Sequence, residues 1–384
     1  MQTVLLAWEL GAGFGHVASL RRVAARLSAH GLRCVAAVKD VASAAALAED
    51  GITVLQAPAW KWGKSSATLG DWLGDAGLAD PEKLRELLEA WRRIIDATRP
   101  DLVVADYAPA VSLVARGRIP LGIVGNGYCV PPAEMSCFPL LHHIVPPVWR
   151  EHFLLDTTNS VLADLHLQSL QRLPQLFSGD AVWVHTFPLL DPYARWRTRP
   201  AQGPAMRGLP KPPANTASEI LVYLSSWPGM QRPFIDALRP FAARVRLFAP
   251  GFSGADRERL AAWGMRLEAT PFHLEEDLAS ARLVIHLGSE GTATLSVIAG
   301  APQLVCAIDV EKELTGKALT QAGIGKFIPM YKPKVVLTEE IVATLLADQA
   351  LAERAREVGE THRAKYRDAD PLGEFSAECL KLLT

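Results

Sequence analysis

The sequence predicts an α/β protein built from two Rossmann-like domains whose parallel sheets face each other across a cleft. Three observations carry this expectation. The chain has 384 residues, beyond the roughly 250–300 at which a single core usually stops growing. Each half repeats apolar strand, glycine-rich turn and helix, an alternation that builds parallel sheets covered on both faces. Between the halves, residues 196–217 (WRTRPAQGPAMRGLPKPPANTA) hold five prolines and few large apolar side chains, the composition of a linker. The expected limits are 1–195, 196–217 and 218–384.

The elements follow in order. Thr3 to Trp8 is a short run of β formers, followed by Gly11, Gly13 and Gly15 and then by Val17, Leu20, Val23, Ala24 and Leu27 at helical spacing. Gly31 stops that helix. CVAAVKD (34–40) and ITVLQAP (52–58) are strand-like, with an alanine-rich helix between them. A helix at about 81–97 precedes the strand at 101–106, and LGIVGNG (121–127) gives the next strand. From 129 to 190, Pro131, Pro132, Pro139, Pro146 and Pro147 interrupt the pattern, predicting loops and helices that elaborate the first domain. The second half restarts with strands at 219–226, 245–251, 265–270, 282–288 and 302–308. A charged helical tail from about 338 to 383 completes the second domain, with a last helix that could cross back.

Composition narrows the function. The 40 Lys and Arg nearly cancel the 41 Asp and Glu, and no basic block exists to neutralise adjacent phosphates, which argues against a nucleic-acid partner. Five cysteines without a CxxC pair suit reduced core thiols rather than a disulfide frame. No apolar stretch reaches 18 residues and the N-terminus lacks a charged leader, so the expectation is a cytoplasmic protein without a transmembrane segment, monomeric or homodimeric. The ten histidines are dispersed and no Asp-x-Asp stands in a loop after a strand, which predicts chemistry with no metal and no resident cofactor.

Two glycine-rich motifs concentrate the chemistry. His286-Leu-Gly-Ser-Glu-Gly-Thr292 follows a strand and opens a helix that runs to Gly300-Ala-Pro-Gln303. Gly288 and Gly291 let backbone approach a ligand, and the N–H groups around Gly291 and Thr292 suit a diphosphate. His286 could add a hydrogen bond or a charge. The other motif, Gly11-Ala-Gly-Phe-Gly-His16, lies at the top of the first strand. A dinucleotide fingerprint needs GxGxxG, whereas this spacing is GxGxG followed by His. Asp40, at the end of the second strand, keeps a dehydrogenase alternative open, but that alternative explains neither His16 nor the His286 block.

The His286 block resembles the nucleotide-sugar signature of inverting GT-B glycosyltransferases, the UDP- and dTDP-glycosyltransferases that act in antibiotic and natural-product synthesis. The resemblance implies the GT-B fold, a nucleotide diphosphate sugar as donor and a small, apolar hydroxyl acceptor. It implies donor contacts from Ser225, Ser226, Phe272, His286, Gly288, Ser289, Glu290, Gly291 and Thr292. Glu311 matches the acidic residue that accepts hydrogen bonds from sugar hydroxyls, with Asp309 its nearby competitor. Lys312 stands where the family usually has Gln, and Leu295 replaces a ribose-binding Glu, as in relatives that use dTDP-sugars on antibiotic scaffolds. His16 matches the general base and Asp106 the aspartate that orients it. A histidine suits this role because its ordinary pKa, near 6.5, leaves a neutral acceptor nitrogen near neutral pH. Phe14, Trp60, Trp62, Phe138 and Trp149 fall where the family builds its acceptor pocket. The competing readings are a nucleotide-sugar 2-epimerase of the same fold and a binding protein that has lost catalysis.

Overall fold

The computed structural model describes the chain apart from residues 62, 64–66, 143–144, 207, 225–231 and 333–334. The chain divides into two compact units, Met1–Ala205 together with Asp370–Thr384, and Met206–Ala369.

The first unit is built on β1 (Thr3–Trp8), β2 (Arg33–Val38), β3 (Thr53–Gln56), β4 (Leu102–Asp106), β5 (Leu121–Gly125) and β6 (Ala181–Val184). All pairs are parallel, in the order β3-β2-β1-β4-β5-β6. Strands β1, β4 and β5 are buried along their whole length, so both faces must be apolar and the sequence shows continuous Val, Leu and Ala rather than alternation. The helix Phe14–Ala29 turns Val17, Leu20, Val23, Ala24 and Leu27 inward. The helix Pro81–Thr98 begins with Asp80 accepting from the N–H of Glu82 and Lys83 and with Pro81 in its first turn, which is standard start chemistry. It buries Leu84, Leu87, Leu88, Trp91 and Ile95.

This strand order places a topological switch point between β1 and β4. Connections leave in opposite directions there, which opens a crevice at the carboxyl ends of the strands. The register levels those ends, since Trp8 lies opposite Val38 on one side and Asp106 on the other. Glu9 to Gly13, Lys39 and Tyr107 are therefore neighbours.

The last helix, Pro371–Lys381, belongs to this first unit. Its apolar stripe Leu372, Phe375 and Cys379 is buried. Gly122 of β5 makes room for it, because a Cβ there would lie 2.9 Å from Phe375, whose ring centre is 6.1 Å from that of Trp183.

The second unit carries β7 (Glu219–Tyr223), β8 (Val245–Phe248), β9 (Arg266–Leu267), β10 (Ala281–His286), β11 (Gln303–Ala307) and β12 (Gly325–Pro329). Their order, β12-β11-β10-β7-β8-β9, repeats the first sheet's topology and puts its switch point between β7 and β10. His286 ends β10 level with Tyr223. Two expectations change here. The strand expected at 265–270 shortens to two residues, and β12, interrupted by glycine and lysine in the sequence, was not anticipated.

Among its described residues, the proline-rich segment has no regular secondary structure beyond the short turn Ala194–Trp196, yet it is fastened at both ends. The Trp183 indole N–H donates to the Gly203 carbonyl at 3.0 Å. Further along, the N–H groups of Lys211 and Ala214 donate to the carbonyls of Glu275 and Ala279, each at 2.9 Å. Among the described residues, no helix is long and apolar enough to cross a membrane.

Candidate active site

In the first unit, the loop after β1 leads into the helix Phe14–Ala29, whose N-cap is Gly13 with φ 91°. His16 therefore sits in the first helical turn, where its ring reaches back over the strand ends. Its Nδ1 lies 2.8 Å from Asp106 Oδ1. Asp106, the last residue of β4, is fully buried, and its Oδ2 has no hydrogen-bond partner among the described residues. A carboxylate can only accept here, so Nδ1 carries the proton and Nε2 keeps its lone pair. The imidazole lies between two aromatic rings, with Trp8 stacked at 5.1 Å and Tyr107 at 6.2 Å between centres. Tyr107 has φ 47°, an uncommon conformation for a large side chain, and its carbonyl accepts from the Leu10 N–H at 3.0 Å.

Sequence reasoning missed Glu9, next to the glycine loop. Its buried carboxylate accepts from the Ala110 and Val111 N–H groups at 3.0 and 2.7 Å and from the Trp60 indole at 2.6 Å. It thus satisfies the start of the helix Pro109–Ala115. Burial pushes its carboxyl up to about 7, against the lowering effect of these hydrogen bonds. The position of Glu9, between strand and glycine loop, was the only available signal. Lys39, Trp8 and Tyr107 were missed as well, because the register that brings them to His16 cannot be read from local sequence.

The residues expected to face the acceptor separate. Phe14 is 63% exposed, free to contact a ligand beside His16. Trp60 is half-buried and fixed through Glu9. Phe138 is a correction: it is buried, with its ring 6.2 Å from that of Phe177, because its position after a proline-rich turn folds it into the core. Trp149 is tied down, its N–H donating to Asp71, its indole N–H to Asp75 at 2.9 Å, and its ring stacked on Phe153 at 5.8 Å. Trp62 lies outside the described residues.

In the second unit, β10 ends in His286 and the helix Glu290–Ala299 begins four residues later. The direct phosphate contact expected of His286 is corrected by its surroundings. The ring is fully buried, Nδ1 accepts from the Gly288 N–H at 3.1 Å, and Nε2 lies 3.0 Å from Gln303 Oε1. Both nitrogens are thus engaged within the protein, with the proton on Nε2. Burial lowers its pKa to about 4, so the ring is neutral and shapes the loop. Gly288 has φ 91°, and a Cβ there would lie 2.7 Å from Val305. Only glycine fits this bend without strain.

Among the described residues, no side chain caps the helix start. Ser289 Oγ instead lies 3.1 Å from Thr292 Oγ1, while Glu290 accepts from the Thr294 hydroxyl at 3.0 Å. Among the described residues, a Cβ on Gly291 would meet nothing within 4 Å. The first turn therefore presents backbone N–H groups to an anion.

Asp309 is the N-cap of the helix Val310–Gln321, accepting from the Lys312 N–H at 2.9 Å. Glu311 lies in that first turn, its carboxylate 3.1 Å from Lys312 Nζ. Phe272 is buried, its ring centre 5.8 Å from that of Tyr223 and 5.3 Å from the Arg246 guanidinium carbon. Ser225 and Ser226 lie outside the described residues. Among the described residues, no group of three or more His, Cys, Asp or Glu could hold a metal ion.

No protein-family profile matches the chain. In sequence it is similar to the elloramycin glycosyltransferase ElmGT of Streptomyces olivaceus, 26% identical over 294 residues, covering 74% of this chain and 70% of that protein. In structure it is similar to the calicheamicin glycosyltransferase CalG4 (TM-score 0.67, 18% identity, 100% of this chain and 98% of that one). It is also similar to the spinosyn rhamnosyltransferase SpnG (TM-score 0.63, 18% identity, all of both chains). A third is the glycosyltransferase VinC in complex with dTDP (TM-score 0.61, 16% identity, 100% of this chain and 99% of that one). Two parallel six-stranded sheets of one topology, with a glycine-rich motif at the switch point of each, agree with these likenesses: the chain has the GT-B fold and is similar to the antibiotic and natural-product glycosyltransferases that share it.

Proposed function

We propose that this protein transfers a sugar from a nucleotide diphosphate donor to a hydroxyl of a small apolar acceptor, with inversion at the anomeric carbon and without a resident metal. The observation that carries the reading is the His16–Asp106 pair, 2.8 Å apart with the carboxylate buried. Nε2 takes the proton of the acceptor hydroxyl while the oxygen forms its bond to the anomeric carbon. The bond from that carbon to the diphosphate oxygen breaks, and its electron pair leaves with the nucleoside diphosphate. Asp106 holds the tautomer and stabilises the imidazolium. Direct attack from the face opposite the leaving group inverts the centre.

The donor belongs to the second unit, its diphosphate at the N-terminus of the helix Glu290–Ala299, where the N–H groups of the first turn offset the charge developing on the leaving group. Gly291 and Thr292 are the contacts nearest to it, and Glu311 is the partner of the sugar hydroxyls. Leu295 in place of the family's Glu and the dTDP named for VinC support a dTDP-sugar. The spinosyn aglycone bound to SpnG in a second structure (TM-score 0.63, 18% identity, 99% of this chain and 100% of that one) supports an aglycone as acceptor. The transferases named above favour transfer over epimerisation.

A thermal-shift panel of UDP, dTDP, GDP, ADP and CMP tests the donor assignment. A ligand at ~100 times its Kd adds about 2.7 kcal/mol to stability. The reading requires dTDP or UDP to raise Tm above the others; a flat response to all five rejects the donor site. Incubation of the matching sugar nucleotide with an aromatic alcohol such as 4-methylumbelliferone, resolved by HPLC, tests transfer, with an epimer of the donor as the contrary product. Retained rate in EDTA is the expected result for metal independence.

A further inference from the structure

Glu9 ties together the two turns that carry the two halves of the dyad. It follows β1, on the chain that leads through Leu10 and the glycine loop to His16. Its carboxylate accepts from the Ala110 and Val111 N–H groups at 3.0 and 2.7 Å, in the first turn of the helix Pro109–Ala115 that follows Asp106 and Tyr107. A helix ordinarily takes its cap from a Ser, Thr, Asp or Asn at the position before it. Here that position is Ala108, which offers no side-chain oxygen, and the acceptor comes from another strand. The next residue adds to the tie, since the Leu10 N–H donates to the Tyr107 carbonyl at 3.0 Å. Glu9 and Leu10 thus clamp the turn that begins at Asp106.

Tyr107 is the residue this clamp constrains. Its φ of 47° is a left-handed conformation that a large side chain keeps only where its surroundings impose it. So held, its ring stacks on His16 at 6.2 Å between centres, and Asp106, one residue earlier, places Oδ1 2.8 Å from His16 Nδ1. The contacts of Glu9 lie with other groups: besides the helix, its carboxylate accepts from the Trp60 indole N–H at 2.6 Å. Burial works against the charged form and pushes the carboxyl up to about 7, so the charge adds little to stability. What the carboxylate supplies is an acceptor for three N–H groups at once. Val111 donates to one oxygen, and Ala110 and Trp60 to the other. A Gln amide in this space turns its NH2 toward at least one of these donors, whichever way it lies.

We propose that Glu9 is a positioning residue for the dyad: by capping the helix after Asp106 from the end of β1, it holds the Tyr107 turn and so keeps the Asp106 carboxylate and the Tyr107 ring against His16. The proposal rests on His16 being the base. Its chemical consequence falls on Nε2. With Asp106 in place the ring proton stays on Nδ1, and Nε2 is left to receive the proton of the acceptor hydroxyl. When the turn drifts, the proton is free to settle on Nε2, and a ring in that form has no lone pair there to act as base.

The experiment compares Glu9→Gln, Glu9→Asp, Asp106→Ala, Phe375→Ala and His16→Gln in the full chain at pH 8, where the Glu9 carboxyl is ionised. Histidine labelled with nitrogen-15 gives an NMR readout that needs no substrate, because the shifts of the two ring nitrogens report which one holds the proton. His16 is identified by the signals missing from His16→Gln, and Asp106→Ala marks a ring without its carboxylate. UDP-glucose and dTDP-glucose with 4-methylumbelliferone supply kcat, and dTDP and UDP affinity is measured separately. Glu9→Gln is expected to move the His16 nitrogens toward their Asp106→Ala positions and to lower kcat by about 10–100-fold, with nucleotide affinity unchanged. Glu9→Asp keeps a carboxylate on a shorter stem and is expected to fall between wild type and Glu9→Gln in both readouts; it carries the test alone should Glu9→Gln not fold. Phe375→Ala, which weakens the same unit through its last helix, is expected to keep the wild-type nitrogen shifts. Wild-type shifts at His16 in the folded Glu9 variants overturn the proposal and leave Glu9 a structural residue. So does wild-type kcat in Glu9→Gln while His16→Gln is inactive, an outcome that leaves the base assignment standing, and so does an equal shift in Phe375→Ala. Full transfer by His16→Gln removes the base assignment and the proposal with it.

Discussion

Removing His16 perturbs more than the chemistry, and the structure dictates how the experiment must be arranged. Asp106 is fully buried, and its hydrogen bond to His16 is the one it has among the described residues. His16→Ala would strand a buried carboxylate, a loss of about 3–5 kcal/mol against a total stability of roughly 5–15 kcal/mol. Partial unfolding would then pass for lost catalysis. His16→Gln keeps an N–H that can reach Asp106 and discards the basic nitrogen, so its urea midpoint should stay close to wild type. A positioned base is worth about 10²–10⁴ in rate, or roughly 2.7–5.5 kcal/mol of barrier at 1.36 kcal/mol per tenfold. His16→Gln should therefore lower transfer by that factor with nucleotide affinity unchanged. Asp106→Asn should lower it as well, and the double variant should lose little beyond the worse single one, since the two act as a unit. HPLC of donor consumption, alongside urea unfolding of each variant, supplies the numbers. More than a tenth of wild-type transfer in His16→Gln, or single losses that simply multiply, refutes the dyad.

The two units should respond to acid in opposite directions. The Glu9 carboxyl is raised to about 7, so its contribution is full below its ordinary 4.5 and lost as pH rises through 7, a swing of up to about 3 kcal/mol; Glu151, also raised to about 7 by burial, acts in the same sense. His286 is lowered to about 4, so its contribution is full above its ordinary 6.5 and lost as pH falls toward 4, again by about 3 kcal/mol. Amide exchange at pH 7.5 and 5.5, corrected for intrinsic rates, should show β4 gaining protection and β10 losing it; parallel changes contradict these assignments. Gly291→Ala should weaken nucleotide binding severalfold while Tm without ligand moves little, because its Cβ would meet nothing within 4 Å among the described residues; unchanged affinity by calorimetry removes the diphosphate from this loop. Glu311→Gln should impair turnover of intact donor more than binding of the bare diphosphate, and equal losses would shift the sugar contact elsewhere. Phe375→Ala should cost about 3–5 kcal/mol by urea unfolding, as a buried aromatic against Gly122 and Trp183; a cost below 1 kcal/mol would mean the last helix contributes little to the first unit.

Local pattern determined much of this protein. Runs of buried strand formers, such as Thr3 to Trp8 and Leu102 to Asp106, follow from the need of a parallel sheet for apolar side chains on both faces. Glycines that bend the chain where a side chain would clash, as at Gly288, are legible because no other residue tolerates that backbone. Both motifs could therefore be placed at strand ends, and His16 could be matched with Asp106 across 90 residues through the resemblance. The fate of individual aromatics was not legible. Phe138 and Phe272 carry the same apolar surface whether they line a pocket or a core, and only packing sent both inward. His286 reads as a ligand until its two nitrogens are seen to be taken by Gly288 and Gln303. The last helix gives its apolar stripe in sequence, but which surface it covers was decided by the space left at Gly122. Lys39 and Glu9 reach the glycine loop through strand register, a property of β1, β2 and β4 together, and the reach of a side chain across neighbouring strands is fixed only when the sheet has formed.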